Sequence, residues 1–118
     1  MSEVRRDEWS GVENRRHRRV PLQVPIECRG GKRVLLVKSE NISISGLLVR
    51  CTEPFEQDTE ITVSFTLPGS RNVLSSAARV AHVVPGVFMG LELSVLPAEA
   101  RKQIEDFVAA NAPPVPKE

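Results

Sequence analysis

Ile61-Thr62-Val63-Ser64-Phe65-Thr66-Leu67 alternates apolar and polar side chains without a break. A period of two puts Ile61, Val63, Phe65 and Leu67 on one face of an extended chain, and the β-branched residues suit a pleated backbone. A half-buried strand is expected here, with Pro68-Gly69-Ser70 turning the chain after it. The same test works outward in both directions. Toward the N-terminus, Leu22, Val24, Ile26 and Cys28 alternate with Gln23, Pro25 and Glu27. Pro21 and Pro25 cannot donate to a ladder, so that strand is expected at an edge or at a sheet opening. Gly30-Gly31 is a turn, residues 34–37 are a second short strand, and Leu47-Leu48-Val49 a third before Glu53-Pro54. Toward the C-terminus, residues 76–84 and 87–93 read as two more strands joined at Pro85-Gly86. After Pro97 the period becomes helical: Ala100, Ile104, Phe107 and Val108 share one face, and Asn111 with Pro113-Pro114 ends the helix. Six short, evenly spaced strands predict a small antiparallel barrel or sandwich. The reading is an all-β fold, a six-stranded antiparallel β-barrel with a C-terminal α-helix.

With 118 residues, 41% of them apolar and 26% charged, the chain has the size and composition of one globular domain. The expected organisation is a flexible tail over residues 1–13, the domain over 14–110, and a second tail over 111–118. No apolar run reaches the roughly 18 residues of a membrane-spanning helix. The opening MSEVRRDEWSG has no apolar stretch, so no secretory signal is expected and a cytoplasmic location is. Cys28 and Cys51 lack C-x-x-C spacing and suggest neither a disulfide framework nor a zinc site. With four Phe, no Tyr and only Trp9, a Val/Leu/Ile core is expected, and Trp9 itself falls in the tail.

Little in the sequence resembles a catalyst. His17 sits among arginines and His82 inside a strand; there is no G-x-S-x-G elbow. Gly31-Lys32 lacks the rest of a P-loop, since residue 26 is Ile and Arg33 stands where a magnesium-binding hydroxyl belongs. Asp58 and Glu60 read as a solvated acidic loop. Asn41-Ile42-Ser43 matches a glycosylation sequon, but a chain without a secretory signal does not meet that machinery. No enzyme activity, metal site or cofactor is expected.

Charge is unevenly placed. Residues 1–50 hold 11 basic and 6 acidic groups, residues 51–118 only 5 basic and 9 acidic. Such asymmetry points to a localised anion site. Most of the excess lies in Arg15-Arg16-His17-Arg18-Arg19. Clustered guanidiniums repel one another, and each offers a planar fork that pairs with phosphate or with the O6 and N7 of guanine. A solvated basic tag or a nonspecific RNA contact explains the cluster equally well on composition alone. The second feature is Asn41-x-Ser43-x-x-Gly46, read as a turn leading into a strand. Its short polar side chains bond within turns, and its glycine permits positive φ and close backbone approach.

The order Arg-x-x-x-Arg, strand pair, Asn-x-Ser-x-x-Gly, further strands and closing helix resembles the PilZ domain, the bacterial receptor module for cyclic di-GMP. The resemblance covers about residues 14–110. It implies that Arg15 and Arg19 grip guanine edges and phosphates, and that Asn41, Ser43 and Gly46 take the ligand's other face. It leaves Arg16 and Arg18 unfixed, as additional phosphate contacts. Asp is common in the family where this chain has Asn41. The resemblance also implies a partner protein that receives the signal, since one receptor module carries no output of its own. A PilZ-like adaptor without nucleotide binding is the alternative. A nucleic-acid-binding barrel is less favoured, because no aromatic residues interleave the arginines to stack bases.

Overall fold

The computed structural model describes residues 18–111. The tail over 1–13, Trp9, Arg15, Arg16 and most of the C-terminal tail therefore lie outside the described residues. Within them, seven strands precede one helix: β1 (Val20–Pro21), β2 (Pro25–Gly30), β3 (Arg33–Ser43), β4 (Gly46–Arg50), β5 (Glu60–Phe65), β6 (Leu74–Val84), β7 (Phe88–Val95) and α1 (Ala98–Asn111). All pairings are antiparallel. Two meanders, β2-β3-β4 and β5-β6-β7, join along β2–β5 and β4–β7 and so close a six-stranded barrel, to which β1 adds a short seventh strand on β3. The expected barrel with a C-terminal helix is the observed one.

Two local readings change. Residues 22–28 form no single strand: β1 and β2 are separated at Leu22-Gln23-Val24, where two backbone bonds to β3, Leu22 N–H to Glu40 O at 3.1 Å and Ser39 N–H to Val24 O at 3.0 Å, are joined by a side chain. Buried Ser39 donates its hydroxyl proton to the Leu22 carbonyl and accepts the Val24 amide at 3.0 Å. Pro21 lies in the outlying β1 and Pro25 opens β2, where a missing donor costs least. The strand expected at residues 34–37 is also much longer, reaching Ser43. Asn41 and Ser43 thus belong to β3, and only Ile44-Ser45 turn the chain into β4. A bulge at Glu40 divides β3, because Ser39 faces Val49 while Asn41 faces Leu48. The extra residue reverses the alternation of side chains. Ser39 is inward before it and Ile42 is inward after it, so Asn41 and Ser43 fall on the barrel's outer face, where Asn41 is half-buried and Ser43 is fully covered.

The core is the Val/Leu/Ile interior that the composition implies. Ile42, Leu47, Leu91 and Val80 form one buried row straight across β3, β4, β7 and β6. Helix α1 buries Ala100 and Ile104, with Phe107 and Val108 half-buried beside them, and packs on β1 and β3. Its exposed pairs Arg101–Glu105 and Lys102–Asp106 are surface contacts of small value.

Both cysteines are buried and free. Burial, and then the neighbouring Cys51, push the Cys28 thiol up to about 12. An unfolded thiol ionises near 9.0, so the native state holds a proton that the unfolded state loses above that pH. Stability from this group is full below pH 9 and falls as pH rises from 9 toward 12. Wild-type protein should lose melting temperature faster than Cys28→Ala over that window. In the native state at pH 8, Cys28 should resist a thiol reagent that modifies it at once in denaturant; modification at the denatured rate would contradict the buried placement.

Candidate functional site

One residue along from the buried row, the same strands carry an outward row. Ser43 pairs with Gly46, Gly46 with Glu92, Glu92 with Arg79, and Arg79 with Glu60. Against this row lies a cavity of about 250 Å³ lined by Arg19, Ser45, Gly46, Arg79, Ala81, Leu91 and Glu92. It straddles β4–β7, the join between the two meanders. A second register shift, between Val80 and His82, makes Ala81 a bulge at the cavity's far side.

Each wall has a local cause. Arg19 precedes β1 and is half-buried; its Nη1 donates to Asn41 Oδ1 at 3.0 Å. The arm and the Asn-x-Ser-x-x-Gly segment, 22 residues apart in sequence, thereby meet. Ser43 is fully buried, and its hydroxyl accepts the Ser45 amide at 3.1 Å and lies 3.0 Å from the Ser45 hydroxyl. Such a hydroxyl closes a tight turn by standing in for a backbone carbonyl. The Ser45 carbonyl in turn accepts the Leu93 amide at 2.9 Å, tying the turn to β7.

The glycine of this motif is needed for a different reason from the expected one. Among the described residues the left-handed glycines are Gly31, Gly69 and Gly86; Gly46 is not one of them. A Cβ at Gly46 would instead stand 2.3 Å from the Leu91 carbonyl oxygen. Close approach, not positive φ, requires glycine here.

On the opposite wall Arg79 donates to Glu92 Oε1 from Nη2 at 2.7 Å and from Nε at 3.1 Å, and from Nη1 to Asp58 Oδ1 at 2.7 Å. The hydrogen bond to Glu92, then its charge, raise the guanidinium's already high pKa and keep it ionised. Asp58 reaches Arg79 from a backbone with φ of 73°, a left-handed conformation that Asp tolerates better than most residues. Asp58 is thus exposed but ion-paired, while Glu60, expected in the same loop, instead opens strand β5.

Of the residues nominated from sequence, Arg19 and Gly46 line the cavity, Asn41 holds Arg19, and Ser43 holds Ser45. Arg18 is exposed and lies outside the lining; Arg15 and Arg16 fall outside the described residues. Ser45, Arg79 and Glu92 were not nominated. Alternation marks Arg79 and Glu92 as outward on their own strands, but only the register shows that they face the motif. Among the described residues, no three of His, Cys, Asp and Glu gather as metal ligands.

Arg19, in the chain preceding the first strand, thus lines a cavity on the outer face of a small, closed antiparallel β-barrel. The sequence agrees in detail: a PilZ domain model matches residues 13–110, and the chain belongs to the PilZ domain family. Solved structures share the fold. The Bacillus subtilis inhibitor of motility (MotI/DgrA) matches at 16% identity with a TM-score of 0.72, covering 80% of this chain. This chain spans about half of that protein, 49% of its length. The PilZ domain of CeSA from a cellulose-synthesizing bacterium matches at 19% identity and a TM-score of 0.63, covering 78% of this chain and 95% of that one. The PilZ domain of YcgR from Escherichia coli, solved with c-di-GMP, matches at 8% identity and a TM-score of 0.67, covering 81% and 89%. No curated protein sequence matches the chain.

Proposed function

We propose that the chain is a receptor for cyclic di-GMP that reports ligand occupancy to a partner protein. The observation that carries this reading is the Arg19–Asn41 hydrogen bond, which joins the two family motifs beside a cavity floored by Gly46. Family membership supports it, as does an Escherichia coli domain of the same fold solved with that nucleotide. In this reading Arg15 and Arg19 take phosphates and guanine edges, with Arg16 and Arg18 as supplementary phosphate contacts. Asn41, Ser43 and Gly46 shape the other face. The function is binding rather than catalysis, needs no cofactor, and belongs in the cytoplasm; no helix among the described residues is long and apolar enough to cross a membrane.

Calorimetric titration with cyclic di-GMP, with GTP and a short RNA as controls, tests the reading. Saturable binding of cyclic di-GMP alone supports it. Binding of none of them favours the adaptor that works through protein contacts, and preferential RNA binding favours the nucleic-acid barrel.

Asn41 supplies a finer test. Its one carbonyl oxygen already accepts from Arg19, which leaves one lone pair on that oxygen beside the competing NH₂. A carboxylate holds Arg19 with one oxygen and accepts a guanine N–H with the other. Asn41→Asp should therefore tighten binding by about 1 kcal/mol, the difference between neutral and charged hydrogen bonds. Weaker binding in the same titration at fixed salt would mean that Asn41 donates to the ligand, or that repulsion between the new charge and the phosphates wins.

A further inference from the structure

The arginine arm leaves one wall of the cavity unexplained. On β6 and β7 the cavity carries a carboxylate, Glu92, and two more acids stand nearby: Asp58 on Arg79, and Glu60 opposite Arg79 in register. Arg79 pairs with Glu92 and Asp58 and so offsets part of this charge. A wall of this sign repels phosphates, so the anionic part of a bound nucleotide belongs on the Arg19 side. What an ionised carboxylate accepts is a pair of N–H donors. Guanine offers such a pair, N1–H and N2–H, side by side on its Watson–Crick edge; adenine offers an acceptor at N1 and no amino group at C2.

Resting on the receptor reading above, we propose that Glu92 is a guanine-selecting residue of the site, with Arg79 as the positioning residue that aims it. Glu92 pairs with Gly46 across the β4–β7 join, and both residues line the cavity. Both Arg79 bonds fall on one Glu92 oxygen, Oε1, so the carboxylate is oriented while no bond from Arg79 engages Oε2. Arg79 is itself fixed by Asp58 from the other side. Glu92 does not duplicate Asn41. Their positions lie two strands and two residues apart, about 12 Å by strand spacing and rise, which is too far to read one base edge. A dinucleotide has two bases, and the two residues serve different ones.

The experiment titrates cyclic di-GMP and its adenine analogue, cyclic di-AMP, into the full chain and into Glu92→Gln. Glutamine keeps the shape but has one acceptor and one NH₂, which suits the adenine edge. Glu92 is exposed, so the variant should melt like the wild type. The expected result is an affinity for cyclic di-GMP about tenfold lower and a preference over cyclic di-AMP that narrows further. Arg79→Met, which leaves the carboxylate unheld, should narrow the same preference, and Arg79→Lys should restore part of it. If the wild type binds cyclic di-GMP and Glu92→Gln keeps its affinity and preference, the role of Glu92 is overturned while the receptor reading stands. If the wild type binds neither nucleotide, both are overturned.

Discussion

Gly46→Val should cost the protein both its stability and its ligand. The valine Cβ would meet the Leu91 carbonyl oxygen at 2.3 Å, well inside van der Waals contact, and that oxygen is backbone in the adjoining strand. A flexible side chain could swing away, whereas a ladder partner moves only if β4 and β7 separate. Overpacking of this kind typically costs 1–3 kcal/mol, and a rigid neighbour puts it at the upper end. About 3 kcal/mol in a domain of this size lowers the melting temperature by roughly 10–20 °C. Gly46, Leu91 and Glu92 all line the cavity, so parting β4 from β7 also deforms the space proposed for the nucleotide. Thermal melting and titration with cyclic di-GMP read the two effects separately. Unaltered melting would show that the strands part more easily here than the contact allows.

Arg19→Ala should instead remove binding and leave the barrel standing. Arg19 precedes β1, lines the cavity and contributes nothing to the apolar interior. A hydrogen bond from a guanidinium to a charged or strongly polar group is worth roughly 1.5–3 kcal/mol, so its loss lowers affinity more than tenfold. Arg15→Ala should act in the same direction. Arg19→Lys separates charge from shape: the ammonium keeps the attraction for phosphate but lacks the planar fork that pairs with a base edge or bidentately with oxygens. It should recover only part of the affinity, and more at low salt than at high, because what it retains is screened. An Arg19→Ala protein that binds as tightly as the wild type would falsify the placement of the site.

How much of this was legible in the sequence depended on how purely each segment is patterned. β5 and α1 are each read from an uninterrupted period, and both lie where that period puts them. β3 was cut short because Lys38-Ser39-Glu40-Asn41 is polar throughout and looks like loop. In the fold that run remains strand for two reasons the period cannot express. Ser39 is polar yet inward, since its hydroxyl bonds the backbone of Leu22 and Val24 where β1 and β2 part, and Glu40 is a bulge that resets the alternation. Half of the site was legible through the Arg-x-x-x-Arg and Asn-x-Ser-x-x-Gly spacings. The other half, Arg79 and Glu92, was not. Its residues reach the cavity through pairing across β6, β7 and β4, and no local pattern in any one strand encodes who its neighbour is. Gly46 stands between these cases: the need for glycine is visible, but its cause lies in a strand far along the chain.

The position of the cavity across β4–β7 has a kinetic consequence. Within each meander, pairing joins strands that follow one another, whereas β4 must find β7 across the length of β5 and β6. Contacts between distant segments form only after the entropy of closing the intervening chain has been met, which makes such joins slow. A ligand held as proposed, by Arg19 before β1 and Asn41 on β3 at one side and by Glu92 on β7 at the other, would bridge that join. It therefore engages only when the barrel has already closed. Bound nucleotide should leave the folding rate nearly unchanged and lengthen the lifetime of the folded state, acting as a clasp on a ring rather than as a guide to its assembly.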